Sequence, residues 1–236
     1  MNLPNAITVG RIAAAPFVAV LPLAQSWELR LLGFVLFVVV AVSDYYDGML
    51  ARSRNLITDL GKQLDPLADK LFLLATLVPM YLLMEAPRSR IVGTETGSGP
   101  FASALFAARA FPFVLPTGLV GLPLWVAVVV LGRELLMTVF RQIAARRGVV
   151  IAAIGPAKWK TGFQLVWVGA AYFWFWAVTA AAQHGWRGGA WTAFAYFNGV
   201  VGVATMAAAV ALTVYSLWLY VRRYGGVLVG RPVRSE

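Results

Sequence analysis

The chain of 236 residues is 60% hydrophobic and 13% charged, with a formal net charge of +10 and a mean hydropathy of +0.75. A soluble domain is about 45–50% apolar and about 25% charged, so too few charges are present to cover a water-soluble globule of this size. The basic excess would suit nucleic acid, but its placement along the chain points to a membrane surface instead, and no nucleic-acid partner is expected.

Apolar runs close to the ~20 residues that a helix needs to cross a bilayer core recur six times, at roughly 7–24, 29–50, 64–84, 122–144, 161–182 and 193–220. The expected fold class is an all-α integral membrane protein of six transmembrane helices, forming one domain over residues 1–236. The first run has the look of a secretory signal, yet the region before it is poor in charge and further spans follow, so an uncleaved helix is expected. There is no cysteine, which removes disulfides and thiolate chemistry.

Lysine and arginine gather in alternate connections: Arg52, Arg54 and Lys62; then Arg141, Arg146, Arg147, Lys158 and Lys160; then Arg222, Arg223, Arg231 and Arg234. By the positive-inside bias both termini face the cytoplasm, as in a multi-pass protein of a bacterial-type inner membrane. Trp27, Trp125, Trp186 and Trp191 fall near the opposite ends of the spans, where an interfacial aromatic belt belongs. Residues 85–121 form the long outer connection, with a glycine-rich loop over 93–100 and a run over 101–113 that is too short to span and is expected along the outer interface. The tail over 224–236 is polar, bears glycine and is expected to be mobile.

Most of the chemistry lies in Asp44-Tyr-Tyr-Asp47-Gly48-Met-Leu-Ala51-Arg52 and in Gly61-Lys-Gln-Leu-Asp65-Pro-Leu-Ala-Asp69-Lys70. Asp44 and Asp47 are three apart, and Asp65 and Asp69 four apart, so each pair shares a helix face. The two pairs end neighbouring antiparallel helices on the cytoplasmic side. An Asp at the centre of a span costs about 2.5–3.5 kcal/mol on insertion scales, and four would cost on the order of 10 kcal/mol. The cost falls toward the interface, yet such a cluster still needs a cationic partner. Two divalent cations balance it, and an all-oxygen donor set suits Mg²⁺, Mn²⁺ or Ca²⁺. A structural network with Arg52, Lys62 and Lys70 is the other way to balance it. Gly48, Ala51 and Gly61 leave room for close approach of a ligand, or equally for helix packing.

The spacing D-x-x-D-G-x-x-A-R, eight residues, G-x-x-x-D-x-x-x-D is intact from Asp44 to Asp69. It resembles the signature of the CDP-alcohol phosphotransferase family, whose six-helix bundle with cytoplasmic termini would cover essentially the whole chain. The resemblance implies that Asp44, Asp47 and Asp65 bind two divalent cations, Mg²⁺ or Mn²⁺. Asp69 would be a further ligand, the general base, or both. Gly48, Ala51, Arg52 and Gly61 would line the cytidine diphosphate site. A homodimer is also implied.

Gly132-Arg133-Glu134, Arg141 and Lys158-Trp-Lys160-Thr161 make a second polar region. Arg133 and Arg141 lie two turns apart on one face, and an arginine within a span is a candidate functional residue. Pairing of Arg133 with Glu134 and snorkelling of Arg141 are the structural alternatives. With Asn2-Leu3-Pro4-Asn5 and Arg11, this region is similar to the phosphatidylglycerophosphate synthase branch, although Ala157 stands where that branch usually has glycine. The similarity implies CDP-diacylglycerol as donor, sn-glycerol 3-phosphate as acceptor, and membrane lipids as surroundings. Arg133, Arg141 and Lys160 would hold the acceptor phosphate. The cardiolipin synthase branch and, more distantly, an ion or proton transporter are the alternatives.

Overall fold

The computed structural model describes residues 3–53, 59–85, 101–149 and 155–228. Seven α-helices carry nearly all of them: α1 (Leu3–Val20), α2 (Trp27–Ser53), α3 (Asp59–Met84), α4 (Phe101–Ala108), α5 (Leu124–Arg146), α6 (Gly155–His184) and α7 (Gly189–Leu228). A 3₁₀ turn, Leu21–Leu23, follows α1.

Among the described residues, four stretches are long and apolar enough to cross a membrane: Asn5–Leu23, Leu64–Met84, Trp159–His184 and Gly189–Gly225. The protein is therefore a helical chain with membrane-spanning capacity. Of the six expected spans, those over 29–50 and 122–144 fall on α2 and α5, which are not among these four.

Helix ends follow from local chemistry. Ser26 caps α2 by accepting the Leu29 amide at 3.3 Å, and its hydroxyl donates to Glu28 at 2.5 Å. That hydroxyl, with the Glu28 backbone amide, holds the Glu28 carboxyl below the usual carboxylate range. Beyond α6, Gly185 takes φ 68°, and the Trp186 amide returns to the Ala181 carbonyl at 3.0 Å. This is the left-handed glycine stop that satisfies carbonyls at a helix end.

The chain divides into two compact units, residues 1–123 with 168–203, and residues 124–167 with 204–236. In the first unit, α1, α2 and α3 pack with the latter part of α6 around Phe37, Leu77, Met80, Tyr172 and Phe175, all buried. The Tyr172 hydroxyl lies 3.1 Å from the carbonyls of both Val18 and Ala75. Four residues on from these are Pro22 and Pro79. Proline has no amide hydrogen to donate, so neither carbonyl can receive its usual helical bond, and a single hydroxyl proton is shared between the two. Tyr172→Phe removes that donor from two buried carbonyls. It should lower unfolding free energy by roughly 1–3 kcal/mol, read as a lower Tm in detergent with activity at low temperature retained.

The connection over 101–121 packs into the first unit. Phe101, Leu105, Phe111, Phe113 and Val114 are buried, and strands β1 (Phe113–Leu115) and β2 (Gly118–Val120) form an antiparallel hairpin pairing Leu115 with Gly118. The Phe111 amide donates to the Leu83 carbonyl at 2.7 Å, and the Trp174 indole donates to the Pro112 carbonyl at 2.8 Å. Gly199 and Gly202 on α7 admit the hairpin, because a Cβ at either would collide with Val114 backbone or the Phe113 ring. Trp191, expected in the interfacial belt, is buried and stacks on Trp174 and Phe101. Trp125 and Trp186 are exposed.

In the second unit, Met137 and Phe140 of α5 form a core with Tyr220 and Tyr224 of α7. Of the tail expected over 224–236, the residues up to Leu228 belong to α7, with Tyr224 buried in this core. Residues 229–236 lie outside the described ones.

Candidate functional site

The first unit brings three of the four singled-out aspartates to one face of α1. Asn5, Thr8 and Arg11 recur every three residues on that helix and all are buried, forming a polar stripe on an otherwise apolar span. The Thr8 hydroxyl donates to Asp65 Oδ1 at 3.0 Å. Arg11 Nη1 is 2.5 Å from Asp44 Oδ1, and its Nη2 is 3.0 Å from Asp69 Oδ1. A single guanidinium thus bridges a carboxylate of α2 to one of α3, which a planar fork of donors can do and a point charge cannot.

The exposures are lopsided. The Arg11 side chain is 4% exposed, whereas Asp44 is 47% and Asp69 60% exposed. The cation lies beneath and the carboxylates open outward, which is the polarity a cationic or metal-bridged ligand requires. A carboxylate has two oxygens and about four lone-pair sites, so one contact to Arg11 or Thr8 does not exhaust it.

Asp47 follows Asp44 by three residues within α2, but its side chain lies outside the described residues, as do those of Gly48, Ala51 and Arg52. Gly61 is a buried position of α3. Among the described residues, no three acidic or histidine side chains converge as a metal-binding group. The donor set that is described is all carboxylate oxygen, on two adjacent helices with outward-facing side chains. That chemistry fits hard divalent cations, with Asp47 the remaining member of the quartet.

Sequence reasoning missed Thr8 as a site residue and took Arg11 only as part of a resemblance. The signal was present, since Asn5, Thr8 and Arg11 repeat at a helical period through apolar sequence. Among the described residues, this α1 arginine is a partner of both Asp44 and Asp69. The side chains of Arg52 and Lys62, two cations considered for that role, lie outside the described residues.

The second unit holds the other candidates. Arg133 of α5 and Lys160 of α6 are buried and meet at Glu134. Arg133 Nη1 is 3.0 Å from Glu134 Oε1, and Lys160 Nζ pairs with the same oxygen. Arg133 Nη2 also donates to Ser216 Oγ at 3.2 Å, and its guanidinium lies 5.9 Å from the Tyr220 ring centroid. The structural pairing of Arg133 with Glu134 is thus present, and Glu134 is a member of the cluster that sequence reasoning did not assign to the site. Arg133, Lys160 and Glu134 together retain one positive charge. Arg141, two turns along α5, is exposed and acts electrostatically on Lys160.

Comparison with known proteins adds an independent line. A family profile described as CDP-alcohol phosphatidyltransferase matches residues 1–218. A protein of Bacillus subtilis (strain 168) named CDP-diacylglycerol–glycerol-3-phosphate 3-phosphatidyltransferase is 31% identical over 181 residues, covering 72% of this chain and 75% of that protein. A Rickettsia bellii (strain RML369-C) protein of the same name is 49% identical over 70 residues, covering 30% of this chain and 39% of its own length. A protein of Oryza sativa subsp. japonica named cardiolipin synthase (CMP-forming) is 30% identical over 170 residues, covering 70% of this chain and 44% of that protein. The profile match contains the whole Asp44–Asp69 spacing and α1 with its Thr8 and Arg11, and the chain belongs to the CDP-alcohol phosphatidyltransferase family of enzymes.

Proposed function

We propose that the chain transfers a phosphatidyl group from CDP-diacylglycerol to sn-glycerol 3-phosphate, releasing CMP and forming phosphatidylglycerophosphate. The observation that carries this reading is the gathering of Asp44, Asp65 and Asp69 over Thr8 and Arg11, inside a family match that spans most of the chain. The same reading has six membrane crossings, α2 and α5 included, with both termini and the aspartates at the cytoplasmic side of an inner membrane. The homodimer belongs to it as well.

Asp44, Asp47, Asp65 and Asp69 would hold two divalent cations, Mg²⁺ or Mn²⁺. Such cations offset the charge of a diphosphate and of the departing CMP. The chain's own residues do the rest. Gly48, Ala51, Arg52 and Gly61 line the cytidine diphosphate, the small residues allowing it to approach the helix backbone. Asp69, more exposed than Asp44, accepts the proton of the acceptor hydroxyl. The hydroxyl oxygen forms a bond to the phosphatidyl phosphorus, the bond from that phosphorus to the bridging oxygen breaks, and CMP leaves with the electron pair.

The acceptor phosphate is held by Arg133, Arg141 and Lys160. A phosphomonoester carries close to two negative charges, and guanidinium groups replace its hydration with paired hydrogen bonds. The single net charge left by Glu134 on Arg133 and Lys160 makes Arg141 the larger contributor. Arg141→Ala should raise the acceptor KM by roughly ten-fold, the worth of one charge-assisted hydrogen bond, with the donor KM little changed. Unaltered acceptor kinetics in that variant would remove Arg141 from the pocket.

Cardiolipin synthesis is the second reading, favoured by the rice relative. Its acceptor would be phosphatidylglycerol, a diester embedded in the bilayer. Initial rates with matched amounts of the two acceptors separate the readings.

A further inference from the structure

Arg30 and Asp44 lie fourteen residues apart on α2, so about 21 Å separates them along the helix axis. At the Arg30 end the first unit contains a cavity of about 240 Å³. Arg30, Leu83 and Phe111 are its buried walls, and Gln25, Phe106 and Arg109 are among the residues nearer its mouth. Its two charged residues are both arginines, and it has no part in the chemistry proposed above.

Arg30 is 3% exposed. Its Nε donates to the Ala24 carbonyl at 2.7 Å, and its Nη1 donates to the Phe175 carbonyl at 3.2 Å and the Thr179 hydroxyl at 2.5 Å. Its guanidinium carbon sits 4.1 Å from the Phe111 ring centroid. Each of these partners is neutral. Among the described residues no carboxylate acts on Arg30, and its Nη2 makes no hydrogen bond. Neutral dipoles orient a guanidinium but do not cancel its charge. Buried charges in proteins are paired, and in a membrane an ionisable residue marks a site.

We propose that this cavity is an anion site for a phosphate ester, occupied by the headgroup of an anionic phospholipid at the membrane face opposite the aspartates. Arg30 meets the phosphate from the cavity floor and Arg109 from its mouth. Leu83, Phe106 and Phe111 receive the apolar glycerol carbons. The volume is below the roughly 300–1,000 Å³ of pockets that enclose drug-sized ligands, so it takes a headgroup and leaves the acyl chains in the bilayer. Trp27, three residues before Arg30 and edge-on to His184 at 5.5 Å, sets this end of α2 at the headgroup level.

The test is thermal unfolding of the full chain in nanodiscs of phosphatidylcholine with increasing phosphatidylglycerol, and in detergent with inorganic phosphate. The expected result is a saturable rise in Tm with phosphatidylglycerol. In Arg109→Gln the half-saturating fraction should rise roughly ten-fold, as for loss of one charge-assisted contact. Arg30→Lys should weaken the response while folding is kept. A saturable response to inorganic phosphate that depends on Arg109 also supports the site and identifies a free phosphate as able to fill it. An identical Tm response in Arg109→Gln and the parent protein, or no response to either anion, overturns the proposal. Because Arg109 is remote in the chain from the aspartates, failure here leaves the proposed transferase activity to its own assays.

Discussion

Asp44→Asn, Asp47→Asn, Asp65→Asn and Asp69→Asn should each reduce CMP release from CDP-diacylglycerol by about 10²–10³-fold or more, the usual loss when one preorganised electrostatic group is removed from a reacting centre. Asparagine keeps the shape and the helix while deleting the charge, so the effect reports chemistry more than folding. The structure separates Asp44, Asp65 and Asp69 by what else they lose. At Asp44 and Asp69 the substitution also breaks an ion pair to buried Arg11. At Asp65 the Thr8 hydroxyl can still donate to the amide oxygen. Asp65→Asn should therefore retain stability best while losing activity as fully as the others. Single-turnover CMP release beside Tm measures both. Near-normal release by any one variant excludes that residue from the site.

Arg11→Ala carries the second large effect. Arg11 touches two site carboxylates, so it is a positioning residue, and loss of a partner that orients ligand groups lowers activity by about 10–100-fold. Arg11→Lys should recover only part of this, because an ammonium cannot bridge Asp44 and Asp69 with two separate nitrogens. A merely structural role would show as lower Tm alone. The readout that distinguishes them is the Tm gain on adding Mg²⁺ to chelator-treated protein. Without the guanidinium, Asp44 and Asp69 lose a cationic neighbour that added Mg²⁺ can replace, so the Mg²⁺-induced gain should be larger in Arg11→Ala than in the parent. Equal gains together with unchanged turnover would contradict the bridging role. The half-exposed carboxylates screen their mutual repulsion, so the stability change itself should be modest.

What could be read from the sequence was whatever repeats with a helical period or carries a cost. Apolar runs gave the helices because a bilayer leaves backbone few alternatives. The aspartate spacing stood out because four carboxylates in apolar sequence need a partner. The identity of that partner was harder to see. Arg11 lies more than thirty residues from Asp44, and only tertiary packing brings α1 across both pairs. Glu134 was legible only as the pairing alternative for Arg133, because the lysine that completes the trio comes from α6. The hairpin after α4 was hidden because its strands have three residues each, too few for an alternating pattern to register. Trp191 looked like a belt residue by position, yet stacking against Trp174 depends on α6 and α7 meeting. Tyr172 shows the same limit: Pro22 and Pro79 announce two freed carbonyls, but not which side chain will reach them.

The proposed activity couples CMP release to phosphatidyl transfer onto a glycerol phosphate. The most direct measurement is a product assay of the purified full chain with CDP-diacylglycerol in mixed micelles and Mg²⁺, supplied in turn with sn-glycerol 3-phosphate, phosphatidylglycerol or no acceptor. The expected result is CMP in equal amount to phosphatidylglycerophosphate, dependent on sn-glycerol 3-phosphate and abolished by excess chelator. Preferential conversion of phosphatidylglycerol, or CMP release that needs neither acceptor nor divalent metal, would contradict it.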